Sequence, residues 1–131
     1  MPAFSAYQSS NQSLSSMTWT KIVCDTEEYD TNANYNNSTY RFTPTVAGYY
    51  LITGCIGNAG NYSTSSAVYK NGTEFKRGNN ISANYNNVVS AVIYCNGSTD
   101  YIELYAFFAT GTLTQSGQSQ TYFQATLIKG A

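Results

Sequence analysis

An all-β sandwich is the fold class the sequence predicts. Short runs alternate β-branched or aromatic residues with polar ones, and nowhere do apolar residues recur at helical three-and-four spacing. Asn-Gly pairs punctuate the runs as tight turns. With 131 residues and 42% hydrophobic content, the chain suits one packed domain spanning 1–131.

Taken in order, the expected strands are AFSAY at 3–7, TWTKIVC at 18–24, STYRFT at 38–43 and YYLITGCIG at 49–57. SSAVYK at 65–70, TEFK at 73–76, VVSAVIYC at 88–95, YIELYAFF at 101–108 and YFQATLIK at 122–129 complete the set. Pro44 fixes its own φ and ends the third run, and Gly48 frees the backbone to enter the fourth. Asn71-Gly72 and Asn96-Gly97 each join two neighbours, because both residue types take positive φ cheaply. If successive strands run antiparallel, the turns at 44–48, 71–72 and 96–99 share one end with both termini. Segments 25–37, 58–64, 78–87 and 109–120 are then expected at the other end, as loops rich in Asn, Tyr, Gly and Ser. The pentapeptide ANYNN, at 33–37 and again at 83–87, is expected there twice.

Charged residues are only 10% of the chain and the net charge is −1, so polarity comes from amides, hydroxyls and thirteen Tyr. The six cations are scattered, which argues against nucleic acid as a partner. No apolar run is long enough for a membrane helix, and the N-terminus lacks the basic and apolar segments of a secretory signal. The composition fits an extracellular or particle-bound protein. Three cysteines without any His match no common zinc pattern; three free thiols are expected for Cys24, Cys55 and Cys95, with one disulfide as the alternative.

The stretch YRFTPTVAGYYLI, 40–52, places Phe42, Gly48, Tyr50 and Ile52 at a spacing that resembles the hallmark of the C1q domain. Tyr35 and Asp30 stand upstream where that family has an aromatic and an Asn or Asp. VIYCNGSTDYIEL, 92–104, and TYFQATLI, 121–128, are similar to its later strands. Cys24, Ile52, Gly54 and Ala125 depart from the pattern, which marks a distant member. The resemblance implies a jelly-roll β-sandwich of about ten strands, related to tumour necrosis factor and homotrimeric. The amide- and Tyr-rich style looks like C1q-type domains of bacteriophage (cyanophage) fibres and virion decorations. Localisation on the virion is therefore expected.

Run 49–57 is apolar on both faces, Tyr50, Ile52 and Ile56 on one and Tyr49, Leu51 and Cys55 on the other. Run 101–108 is nearly so, with Tyr101, Tyr105 and Phe107 interrupted by Glu103. Such strands need covering twice, and a neighbouring subunit is the natural second cover. The expected core and trimer interface is Tyr49, Tyr50, Leu51, Ile52, Tyr101, Tyr105, Phe107 and Phe123. No catalysis is expected, since no His can serve as base and the acidic cluster DTEEYD lies within one segment. Calcium is the one cofactor left open, at Asp25, Glu27 and Glu28.

The expected function is that of a virion module, a fibre tip or head decoration, presenting distal loops to a host-surface glycan or receptor. Tyr faces and amide side chains suit sugar recognition, and the candidates are Asn61, Tyr62, Asn84, Tyr85, Asn86, Gln115 and Gln118. One alternative is a capsid cement protein whose base, near the termini, binds other virion proteins. The other is a secreted C1q-type ligand for a protein receptor.

Overall fold

The computed structural model describes residues 1–82 and 85–131. Thirteen strands form among them: β1 (Ala3–Tyr7), β2 (Ser13–Leu14), β3 (Thr20–Lys21), β4 (Thr26–Asp30), β5 (Tyr35–Asn36), β6 (Arg41–Phe42) and β7 (Gly48–Asn58). The rest are β8 (Thr64–Lys70), β9 (Thr73–Ile81), β10 (Asn87–Cys95), β11 (Ile102–Phe108), β12 (Thr112–Gln115) and β13 (Tyr122–Gly130). All pairings are antiparallel and no helix is present among the described residues. In the first sheet β7 is flanked by β10 and by β13, followed outward by β1 and β4, while β12 and β2 continue from the end of β7. The second sheet orders β5, β6, β11, β8 and β9, with β3 also on β11.

The sheets close on one aromatic core. Phe4 stacks on Tyr35 at 4.6 Å and on Phe42 at 4.7 Å, and Phe123 meets Phe4 edge-on at 5.0 Å. Around them Tyr50, Ile52, Ile93, Ile102, Leu104 and Phe108 are fully buried. The strand-entry residue Gly48 has φ +156° and no room for a side chain, since a Cβ would lie 2.5 Å from the Lys129 carbonyl oxygen. Two residues on, the Tyr50 hydroxyl donates to the Val46 carbonyl at 2.7 Å and ties down the turn. Leu104 fills the space beside Gly54, and the Tyr35 hydroxyl donates to the Cys24 carbonyl at 2.7 Å.

The long runs stand where the sequence places them, but segment 25–37 does not. Instead of looping at the far end, Thr26–Asp30 runs back along β1, pairing Tyr7 with Thr26 and Phe4 with Asp30. The first ANYNN copy therefore sits near the termini, where the Thr43 amide donates to the Asn34 carbonyl and the Asn34 amide reaches Thr45. Asn87, which ends the second copy, pairs with Ile56 at the opposite end. Charged, outward-facing β4 gives no alternation to read, because it is an edge strand needing little burial. Similarly, 73–76 extends to Ile81, and only Thr20–Lys21 of 18–24 pairs regularly, although the Ile22 amide still reaches Leu104.

Candidate functional surfaces

Alternation on β7 sends Tyr50 and Ile52 into the core and leaves Tyr49 and Leu51 outside. Register does the rest. Leu51 stands opposite Val92 and Thr126, and Tyr49 opposite Tyr94, with the two rings 5.4 Å apart. Val88, Val92 (51% exposed) and Ile128 extend the same outward face, and Tyr29 borders it across a hollow of about 100 Å³ lined also by Leu51, Thr53, Gln124 and Thr126. Among the described residues these side chains share one outward face. Of the residues expected in the core and trimer interface, Tyr49 and Leu51 belong to this face, while Tyr50, Ile52 and Phe123 are core. Val88, Val92 and Tyr94 share the face and lie outside the expected set, although VVSAVIYC carries apolar residues on both faces as the fourth run does.

Tyr101, Tyr105 and Phe107 lie on the other sheet and find cover within their own chain. Trp19 packs 5.4 Å from Phe107, and Tyr69 lies flat on Tyr105 at 3.7 Å. Tyr101 carries the Arg41 guanidinium 3.8 Å from its ring centroid. Between them Glu103, only 2% exposed, accepts Lys21 at 3.1 Å and Arg41 at 3.3 Å on one carboxylate oxygen.

The loop candidates gather at the end remote from the termini without converging on one pocket. Tyr62 and Asn61 are exposed, with the Tyr62 carbonyl held by the Asn58 side chain at 2.9 Å. Tyr85 is 68% exposed, and Asn86 hydrogen-bonds the Cys55 thiol beside Tyr122. Gln115 is exposed and its carbonyl accepts from Thr121 at 2.7 Å. Gln118 leans the other way and donates to Glu28. Asn84 lies outside the described residues.

The calcium trio is dispersed. Asp25 accepts the Ser9 hydroxyl at 2.7 Å and the Ser9 amide at 2.9 Å. Partial burial would raise its carboxyl, but these bonds win and hold it below the ordinary range. Glu28 sits at a register shift of β4 against β1 and takes the Ser5 hydroxyl at 2.8 Å, leaving Glu27 alone on the surface. Among the described residues no three acidic, Cys or His groups come together as a metal site. All three thiols are free and buried, and burial pushes Cys95 up to about 11.

No protein-family model matches the sequence, and no curated protein matches it. Solved structures do. The globular domain of zebrafish complement 1qA is 17% identical, with a TM-score of 0.74 over 100% of both chains. Murine APRIL is 12% identical, with a TM-score of 0.76 over 97% of this chain and 98% of that one. The fold is the C1q/TNF jelly roll. PRD1 vertex protein P5 has it too, at 16% identity and a TM-score of 0.66 over 98% and 97% of the two chains. Identities this low establish the jelly roll alone, and the same fold serves both the APRIL type of chain and a vertex protein. A role has to be argued from the surfaces.

Proposed function

We propose that the chain is a non-enzymatic binding module that assembles as a homotrimer through the outward face of β7, β10 and β13. Its far-end loops then meet a host surface, with a glycan as ligand, and the particle carrying it is a virion. The observation that carries this reading is the apolar face of Tyr49, Leu51, Val88, Val92, Tyr94 and Ile128. A lone protomer in water would leave that face wet, against the usual limit for monomers. Light scattering tests the assembly: the expected mass is about 43 kDa, three times the 14.3 kDa of one chain. Val92→Glu, placing a carboxylate in the middle of the face, is expected to yield monomer. A wild-type mass of 14.3 kDa at micromolar concentration would sink the assembly.

Recognition is supported by Tyr62 and Tyr85, two exposed rings on amide-rich loops away from the termini. Tyr62→Ala with Tyr85→Ala is expected to abolish adsorption to host cells while the trimer persists. A second reading is favoured by the base, where the Leu127 amide donates to the Pro2 carbonyl and the Ala131 amide to that of Ala47. There both termini meet in one bonded platform, as a capsid cement protein would use. Unchanged adsorption by the loop variant, with particle binding lost on truncating the base, would transfer the function to that platform.

A further inference from the structure

The geometry points to a second binding surface, on the outward side of the sheet that the proposed trimer leaves free. The strip formed by Trp19, Phe107, Tyr105 and Tyr69, with Lys21 and Arg41 at its flank, is a docking site for a carboxylated glycan, one carrying uronic or sialic acid residues. It goes beyond the loop-end reading and shares no residue with it.

The strip is built by register. Ile102, Leu104, Ala106 and Phe108 point into the core, so Tyr105 and Phe107 point out. Pairing of β3 with β11 sets Lys21 opposite Tyr105, and Trp19, the next residue but one, comes beside Phe107. Pairing of β8 brings Tyr69 opposite Glu103 and onto the Tyr105 ring. Each ring is half-buried and held by its neighbours, Tyr69 against Tyr105 and the Arg77 guanidinium 5.1 Å from the Trp19 ring, so a ligand meets a preformed platform and orders little on binding. Flat apolar rings bordered by polar tips are suited to the C–H faces of sugar rings.

Charge selects the kind of sugar. Three cations, Lys21, Arg41 and Arg77, face two carboxylates, Glu103 and Glu74. Arg77 is matched by Glu74 through three guanidinium contacts, at 3.0 and 3.1 Å for one terminal nitrogen and at 3.3 Å for Nε. Lys21 and Arg41 instead share a single Glu103 oxygen, and both side chains stay partly exposed, at 30% and 39%. One carboxylate cannot neutralise two cations, so one positive charge is left beside the rings. That surplus complements an isolated carboxylate on a sugar. Single-stranded nucleic acid, which also stacks on aromatic rings, carries a charge at every nucleotide and needs a track of free cations. The strip supplies one.

Trp19 is the sole tryptophan of the chain, so its emission reports directly on the strip. The full chain is titrated with polygalacturonate and polysialic acid, with neutral dextran and oligo-dT beside them, and binding is read by emission and by retardation in polysaccharide gels. A carboxylated polymer is expected to shift Trp19 emission, and Lys21→Gln and Phe107→Ala each to weaken binding about tenfold. Tyr62→Ala is expected to leave it unchanged, which separates this surface from the loops. If Phe107→Ala fails to fold, Lys21→Gln, a half-exposed site, still decides. No response to either acidic polymer, an equal response to dextran, tighter binding of oligo-dT, or wild-type affinity in Lys21→Gln would each overturn the assignment.

Discussion

Glu103 is a carboxylate buried among side chains on the outward face of β11, and its two cations make a quantitative demand. Both Lys21 and Arg41 reach the same oxygen, at 3.1 and 3.3 Å, while Glu103 is 2% exposed. At an effective dielectric of roughly 20, one such contact is attractive by about 5 kcal/mol, close to the several kcal/mol that burying the carboxylate costs. One cation is thus enough to hold the charge, and two are redundant. Lys21→Met is expected to destabilise by about 1 kcal/mol, and Arg41→Met by slightly more because its contact with the Tyr101 ring also goes. With both removed, the buried carboxylate stands uncompensated and the loss should reach about 3–5 kcal/mol. Urea unfolding of the four proteins closes the double-mutant cycle. A double variant that loses no more than the sum of the singles would refute the redundancy and with it the idea that Glu103 is charged and sealed.

Further outcomes follow from single positions. Gly48→Ala should cost more than about 1 kcal/mol by thermal melting, since its Cβ would strike the Lys129 carbonyl at 2.5 Å and the residue has φ +156°. A thiol reagent should label none of Cys24, Cys55 and Cys95 in the native protein and all three in denaturant, because burial raises each thiol. The Asp100 carboxyl is held below its ordinary value, first by the Asn71 side-chain amide at 2.9 Å and then by the Asn96 amide at 3.0 Å and by Lys70. Its stabilisation is therefore complete above the unfolded carboxylate range, near pH 4, and is lost as pH falls through the lower folded value. Asp100→Asn should flatten that acid limb of the stability profile, which melting between neutral pH and pH 2 would reveal.

What the sequence made legible was whatever depends on burial along a strand. Phe42, Gly48 and Tyr50 are readable because the core and the Lys129 backbone leave no other residue type room. Strands β4, β2 and β12 were illegible for the opposite reason: two are too short to alternate, and the third, TEEYD, is an edge carrying charges. Because β4 returns along β1, Asn34 and Asn36 stand near the termini rather than among the far-end loops. The platform of Trp19 and Tyr69 could not be read at all, since the two meet only through separate pairings with β11. Val92 and Tyr94 are legible on the same ground as Tyr49 and Leu51, their strand carrying apolar residues on both faces as β7 does.

Strand β4 closes one side of the first sheet, and among the described residues no strand pairs with its outer rim. Within and beside it stand Asp25, Glu27, Glu28 and Asp30, four of the seven acidic residues of the chain. A bare strand rim is an invitation to another chain's rim, and here every such approach sets carboxylates against carboxylates. The guard is electrical rather than steric.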